Sequence, residues 1–415
     1  MQSAFLSQLN LTIMNTHIVK QLPLALMGIL PLVSCYKEKK DITHFIGTDT
    51  THIAGPYKEK ARAVYDDIYN LYAVPGTNLF KENVPAQSGD PRYAYFWPYG
   101  GMFTAITLIR SLGYTDDYQK KFDNCAEGME GYFDAGRSPA AYQAIPVSVG
   151  ISDRYYDDNA QAGIDFLEAY EVTGNARFLE KAKLCYLFCK SGESSLQGGG
   201  LYWNEQVKNN LDDDNCIKAT NVTALAAVLA LKLYQVNQSQ DYLTTALRWY
   251  KWVKTYMQDP SDKIYWNSIR IRDGAIDYTK WAYNTGAMIT NACLLYIVTS
   301  DANYLSEAKS LAAASYKYFT RSVTGAGVFF PANDPWFTAV LFRGYLDLYT
   351  LDKTDTYIET IIRNTDYAMQ FSRMPDTRQF YEDWSGTAPG RYYWILNQAA
   401  MAEIYARIST FKKEK

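Results

Sequence analysis

Apolar positions along this chain fall in long stretches with the spacing of one helix face, and in places they run nearly all round the helix. Between the stretches a short phrase returns: Thr115-Asp116-Asp117-Tyr118, Gly174-Asn175-Ala176-Arg177-Phe178-Leu179, Ser239-Gln240-Asp241-Tyr242-Leu243, Asp301-Ala302-Asn303-Tyr304-Leu305 and Thr354-Asp355-Thr356-Tyr357-Ile358. Its aromatic positions 118, 178, 242, 304 and 357 are separated by 60, 64, 62 and 53 residues. A period near sixty fits two helices with their connections, and internal repetition of this size predicts a ring or solenoid of helical pairs. Each phrase carries polar capping residues and then an apolar stripe, so it begins a half-exposed helix. The helix before each phrase is richer in small and apolar residues. Ala224-Leu225-Ala226-Ala227-Val228-Leu229-Ala230-Leu231 has almost no polar side and must be enclosed.

The pattern predicts twelve helices: Tyr57–Ala73, Pro98–Leu112, Asp116–Phe133, Asp157–Thr173, Ala176–Lys190, Lys218–Val236, Asp241–Met257, Tyr278–Thr299, Ala302–Thr320, Asp334–Thr350, Asp355–Ser372 and Tyr392–Ser409. Six pairs, one member inside and one outside, make an all-α (α/α)6 barrel, a six-hairpin toroid. No Pro/Ser-rich linker divides residues 56–415, so they are expected to form one domain.

The connections leading into the inner helices gather at one mouth of such a ring. They contain Phe96-Trp97-Pro98-Tyr99, Tyr155-Tyr156-Asp157-Asp158-Asn159, Lys218-Ala219-Thr220-Asn221, Trp281-Ala282-Tyr283-Asn284, Asn333-Asp334-Pro335-Trp336 and Arg391-Tyr392-Tyr393-Trp394. Rings recur there beside amides and acids, which core packing alone does not explain and a shared cleft does. The same placement sorts the tandem acids. Asp66-Asp67 lies inside an outer helix, Asp116-Asp117 begins one, and Asp212-Asp213-Asp214 sits in a polar loop. Asp157-Asp158 begins an inner helix and faces the mouth.

Composition narrows the chemistry. The only histidines, His17, His44 and His52, precede the helical pattern, so a Ser-His-Asp, Cys-His or HExxH site has no histidine to use in the main domain. Gly198-Gly199-Gly200 lacks the Lys-Ser/Thr of a phosphate loop. A formal net charge of −3 without a basic stripe argues against nucleic acid. Cys125, Cys185, Cys189, Cys216 and Cys293 have no metal-binding spacing, and buried small residues are the expected role. No metal or cofactor is called for. Carboxylates, amides and the 36 tyrosines and 9 tryptophans remain, the equipment of a carbohydrate enzyme. Candidate sugar contacts are Tyr155, Asn159, Trp97, Asn221, Trp281, Tyr283, Asn284 and Trp336.

Ahead of the domain, Lys20 precedes an apolar run from Leu22 to Val33, too short to span a bilayer. It ends in Leu32-Val33-Ser34-Cys35, which resembles a bacterial lipoprotein signal with the lipid on Cys35. Residues 1–35 are expected to be the signal segment and 36–55 a flexible tether. The implied location is the cell envelope, with a lipid anchor holding the protein to the outer membrane.

Three pieces carry a family resemblance. They are Tyr156-Asp157-Asp158-Asn159-Ala160 with Leu167-Glu168-Ala169-Tyr170 behind it, Gly199-Gly200-Leu201-Tyr202-Trp203-Asn204, and Trp281-Ala282-Tyr283-Asn284-Thr285-Gly286. With Trp336-Phe337 and Arg343-Gly344-Tyr345, they make the chain similar to the endo-α-1,6-mannanases of glycoside hydrolase family 76. The resemblance implies an (α/α)6 barrel, a mannan or mannooligosaccharide substrate, and a retaining mechanism in which Asp157 is the nucleophile and Asp158 the acid/base. The chain departs from the family at Gln161, where a large aromatic is common, and at Thr338, where a lysine is common. Mutual repulsion and burial are expected to keep one acid protonated, while the helix N-terminus favours charge on the nucleophile. A cell-wall transglycosidase and a non-catalytic glycan-binding lipoprotein remain as alternatives.

Overall fold

The computed structural model describes residues 54–113, 116–330, 334–386, 390 and 392–411. The expected signal segment with Cys35, nearly all of the tether, and Asn333 and Arg391 lie outside the described residues. Among the described residues twelve α-helices form: α1 Ala54–Tyr72, α2 Phe96–Ser111, α3 Asp116–Glu130, α4 Tyr156–Thr173, α5 Ala176–Ser191, α6 Thr220–Asn237, α7 Gln240–Trp252, α8 Ala282–Thr299, α9 Ala302–Phe319, α10 Pro335–Asp352, α11 Thr356–Phe371 and α12 Ile395–Thr410. The even-numbered helices pack in sequence, α2 on α4, α6, α8, α10 and α12, and α12 returns to α2. Each odd-numbered helix lies outside an even one, with α1 on α12. The structure is an (α/α)6 barrel.

Sequence explains which helix goes where. The inner helix α6 is buried continuously from Thr220 to Leu231. The outer helix α3 buries Tyr118, Phe122, Cys125, Ala126 and Met129, a single stripe at helical spacing. Inner helices touch closely where small residues allow it. A Cβ on Gly286 of α8 would stand 2.6 Å from the Leu341 Cα of α10, and one on Gly344 would stand 2.7 Å from the Gly286 carbonyl oxygen.

The repeated phrase is the turn from an inner to an outer helix. Helices α4, α6, α8 and α10 each end on a left-handed residue, Gly174, Gln238, Ser300 and Lys353, whose N–H donates to the carbonyl four residues back. Two of the helices that follow, α5 and α9, then start on a side-chain cap. Asn175 accepts from the Arg177 N–H at 3.1 Å and Asp301 from the Asn303 N–H at 2.9 Å.

Three expected helix starts hold strand instead. At the start expected at Tyr392, Tyr393 and Trp394 pair antiparallel with Val84 and Asn83. A three-stranded antiparallel sheet, β1 Ile217–Ala219, β2 Trp266–Arg270 and β3 Ile276–Lys280, takes Lys218 and the stretch from Tyr278 to Lys280. The sheet has a purpose in the layout: β1 runs directly into α6, and β3 into Trp281 and α8. The five cysteines among the described residues are free and buried. Among the described residues no helix is long and apolar enough to cross a membrane.

Away from the mouth, the inner helices line a charged, partly open cavity of about 80 Å3, bordered among others by Glu168, Lys232, Arg343, Asp347 and Arg407. Beside it Arg343 grips Glu403 with two hydrogen bonds of 2.6 and 2.8 Å. Arg407 joins Glu403 at 2.8 Å and Glu168 at 3.0 Å twice. This cluster ties α4, α10 and α12 together.

Candidate active site

The segment before α4 is fixed from both sides. The guanidinium of Arg154, fully buried, donates twice to Glu205 at 2.6 Å and to the Pro139 carbonyl at 2.9 Å. The Tyr156 N–H donates to the Trp203 carbonyl at 2.9 Å, and the Trp203 N–H to the Ile217 carbonyl of β1 at 3.1 Å. Lys218 of β1 is buried and spends its ammonium on the carbonyls of Ser194 (2.6 Å), Leu196 (2.7 Å) and Gly199. Burial pulls its pKa down to about 8. The Gly-rich run follows because a Cβ on Gly200 would come within 2.5 Å of the Trp252 ring. This framework carries Trp203 over the first turn of α4.

There the two acids receive different treatment. Asp157 accepts three hydrogen bonds: from the Asn221 side-chain amide at 2.7 Å, the Trp203 indole at 3.1 Å and the Asp158 backbone N–H at 3.1 Å. The carboxyl of Asp158, 7% exposed, accepts none among the described residues. Burial raises both carboxyls above the ordinary range. At Asp157 the donors restrain the rise, whereas at Asp158 the charge of Asp157 adds to it. Asp157 is therefore the member that ionises first and Asp158 the one that keeps its proton.

An aromatic wall crosses the starts of four inner helices. Trp97 before α2's second turn meets Trp336 of α10 edge-on at 5.1 Å and Trp394, just before α12, at 5.3 Å. Phe337 stacks on Tyr283 of α8 at 4.1 Å and meets Trp281 at 5.4 Å. The charge of Asp157 acts on Tyr283, which links the wall to the acids. A second aromatic pair, Tyr155 and Trp203 at 5.0 Å, adjoins the acids directly.

The structure thus brings Trp97, Tyr155, Asn221, Trp281 and Tyr283 to the mouth with Asp157 and Asp158. Three other expected sugar contacts lie deeper than the mouth surface. Asn159 has no exposed surface and its amide is spent on the Tyr142 N–H and carbonyl, both at 2.9 Å, and on the Tyr155 carbonyl at 2.8 Å; it pins the loop behind the site. Asn284 is also fully buried, with both amide atoms unpartnered among the described residues. Trp336 is only 3% exposed and backs the wall. Asn221 is at the mouth but engaged by Asp157, so it orients an acid. Sequence reasoning left Trp203, Phe337 and Trp394 out of the site, although all three stand in the motifs quoted for it. Among the described residues no group of three or more His, Cys, Asp or Glu side chains is placed to hold a metal.

Removal of the Asn221 donor provides a direct check on the asymmetry. A hydrogen bond to a charged acceptor contributes about 1.5–3 kcal/mol. Asn221→Ala is expected to raise the Asp157 pKa and so move the acidic limb of the pH–activity profile to higher pH by about one to two units. An acidic limb that stays in place would show that Asp157 is not the group titrating there.

The Glycosyl hydrolase family 76 model matches residues 56–398. A family 76 mannosidase from Bacteroides thetaiotaomicron is similar in structure, with a TM-score of 0.78 and 25% identity over 85% of this chain and 98% of that one. An inactive variant of the α-1,6-mannanase of Salegentibacter sp., with two neighbouring aspartates changed to asparagine and α-1,6-mannotriose bound, aligns with a TM-score of 0.71 at 20% identity over 85% and 99% of the two chains. The meiotically up-regulated gene 191 protein of Schizosaccharomyces pombe is 28% identical over 200 residues, 46% of this chain and 44% of that protein. The chain thus matches less than half the length of this curated relative.

Proposed function

We propose that this chain, which belongs to glycosyl hydrolase family 76, hydrolyses the α-1,6-linked backbone of mannan with retention of configuration. Asp157 acts as nucleophile and Asp158 as acid/base. The observation that carries the reading is the unequal solvation of the pair: three donors stabilise Asp157 as a carboxylate and none stabilises Asp158. A retaining glycosidase needs that division. The carboxylate attacks the anomeric carbon while the neighbouring acid gives its proton to the departing glycosidic oxygen. The same residue, now ionised, takes a proton from the water that releases the sugar. Trp97, Trp281, Phe337 and Tyr155 offer apolar faces for the C–H sides of the sugar rings. The α-1,6-mannotriose bound to the Salegentibacter enzyme supports the choice of linkage.

The test is incubation with linear α-1,6-mannan, with product sizing and proton NMR of the newly formed reducing end. Shorter oligomers appearing first as the α anomer are expected. A β anomer at early times would refute the nucleophile assignment, and products longer than the substrate would favour transfer to sugar over transfer to water. An unchanged polymer would overturn the proposed activity on this linkage.

A further inference from the structure

Asp158, Gln161 and Asp165 stand at i, i+3 and i+7 of α4, on one face of the helix. All three are buried, with Gln161 5% and Asp165 1% exposed. The Gln161 side chain donates its Nε2 to Asp165 Oδ1 at 2.7 Å. That bond fixes the orientation of the amide and turns Oε1 away from Asp165. Gln161 Oε1 is buried and has no donor among the described residues, an uncommon and costly state for an amide oxygen. One helical turn above it is a carboxyl that accepts no hydrogen bond. A proton on Asp158 would supply the missing donor.

We infer that Gln161, oriented by Asp165, is a positioning residue that accepts a hydrogen bond from the protonated carboxyl of Asp158 and so keeps Asp158 as the acid. The inference rests on the glycosidase reading above and deepens it. A hydrogen bond to the neutral form of a carboxyl disfavours ionisation, and after ionisation two acceptors would face each other. The other ionisable groups around them are Asp157 and Tyr155 beside Asp158, Cys189 of α5 and Tyr283 of α8, with Arg343 of α10, Glu168 of α4 and Cys185 of α5 within reach of Asp165. Asp157, Tyr155, Cys189 and Tyr283 carry no fixed positive charge, so they give Asp158 no reason to ionise early.

The test compares wild type with Gln161→Leu, Asp165→Ala and Asp165→Asn. Leucine removes the acceptor, alanine frees the amide to rotate, and asparagine keeps an oxygen for Gln161 Nε2. The alkaline limb of kcat/KM on α-1,6-mannotriose, whose leaving group needs the acid, is expected to move down by about one pH unit in the first two variants. It should stay in place in Asp165→Asn. An infrared titration, with the Asp158 acid band assigned by difference against Asp158→Asn, reads the same proton without turnover. The band should vanish at lower pH in Gln161→Leu than in wild type. Unfolding midpoints identify any variant whose fold has failed, and Gln161→Met is then the replacement. An unmoved band together with an unmoved alkaline limb in Gln161→Leu overturns the inference. If wild type does not cleave mannotriose, the activity reading fails, and the infrared titration still decides the role of Gln161.

Discussion

Asparagine in place of Asp157 is expected to lower turnover on α-1,6-mannan by roughly 10^4-fold or more. The amide has almost the same shape, so the site survives while the attacking electron pair is lost. With the amide oxygen in the place of Oδ2 the bonds from Asn221 and Trp203 are kept and only the one from the Asp158 N–H is given up, and a buried charge is removed at the same time, so the unfolding midpoint should stay close to wild type. Asp158→Asn should behave differently. Its loss is expected to be roughly 10^2- to 10^4-fold on mannan, whose leaving group needs a proton. On an activated aryl α-mannoside the first step should be nearly unimpaired, and azide should restore the second. Steady-state and burst kinetics on the two substrates separate these cases. Near-wild-type rates on mannan in either variant would remove the pair from the mechanism.

The second large effect concerns stability. Glu403 is buried and meets both Arg343 and Arg407. Burial alone would raise its pKa, but the two guanidinium charges and their hydrogen bonds hold it down at about 2. Glu403→Met leaves two arginines in the interior without their shared acid. Breaking a buried pair from one side costs about 3–5 kcal/mol. A denaturant titration should show a midpoint lowered accordingly, with the mouth of the barrel unchanged. Changing Arg343 and Glu403 together to methionine should cost less than Glu403→Met alone, because one fewer charge is stranded. The pH dependence has a definite sign. The folded pKa is depressed, so this contribution is present above the ordinary glutamate value of about 4.3 and is lost as pH falls through about 2.

Much of this arrangement could be read in the amino-acid order because the ring repeats. Each inner helix needs apolar or small residues on most sides, each outer helix on one, and the reversal between them brings a short polar residue back before each outer helix. Asp157-Asp158 stood out from the other tandem acids only after that alternation assigned it to the start of an inner helix. What failed was local. Lys218 adjoins the apolar run of α6 and reads as its start. In the structure β1 pairs with β2, and three carbonyls claim its ammonium. Ile276-Asp277-Tyr278-Thr279-Lys280 alternates with the period of a strand, yet it adjoins a long helical run that absorbed its end. Asn159 and Asn284 show a different limit. An amide in the first turn of a helix has the same signature whether it faces a cleft or a neighbouring backbone. Trp203 entered the site through a pairing with Tyr156 that lies 47 residues away along the chain, and no periodicity reports such a contact.

The last described helix, α12, completes the inner wall by packing against both α1 and α2. Its residues meet partners more than three hundred positions earlier: the Tyr393 carbonyl, just before α12, accepts from the Tyr72 hydroxyl at 2.7 Å. During synthesis the hairpins can therefore pair as they emerge, but the circle shuts only when α12 has left the ribosome. Until then α10 and α2 each present an unpaired greasy flank, the kind of surface that chaperones recognise and that favours self-association. Closure late in the process also imposes slow, all-or-none maturation, since long-range contacts must form before their entropy cost is recovered.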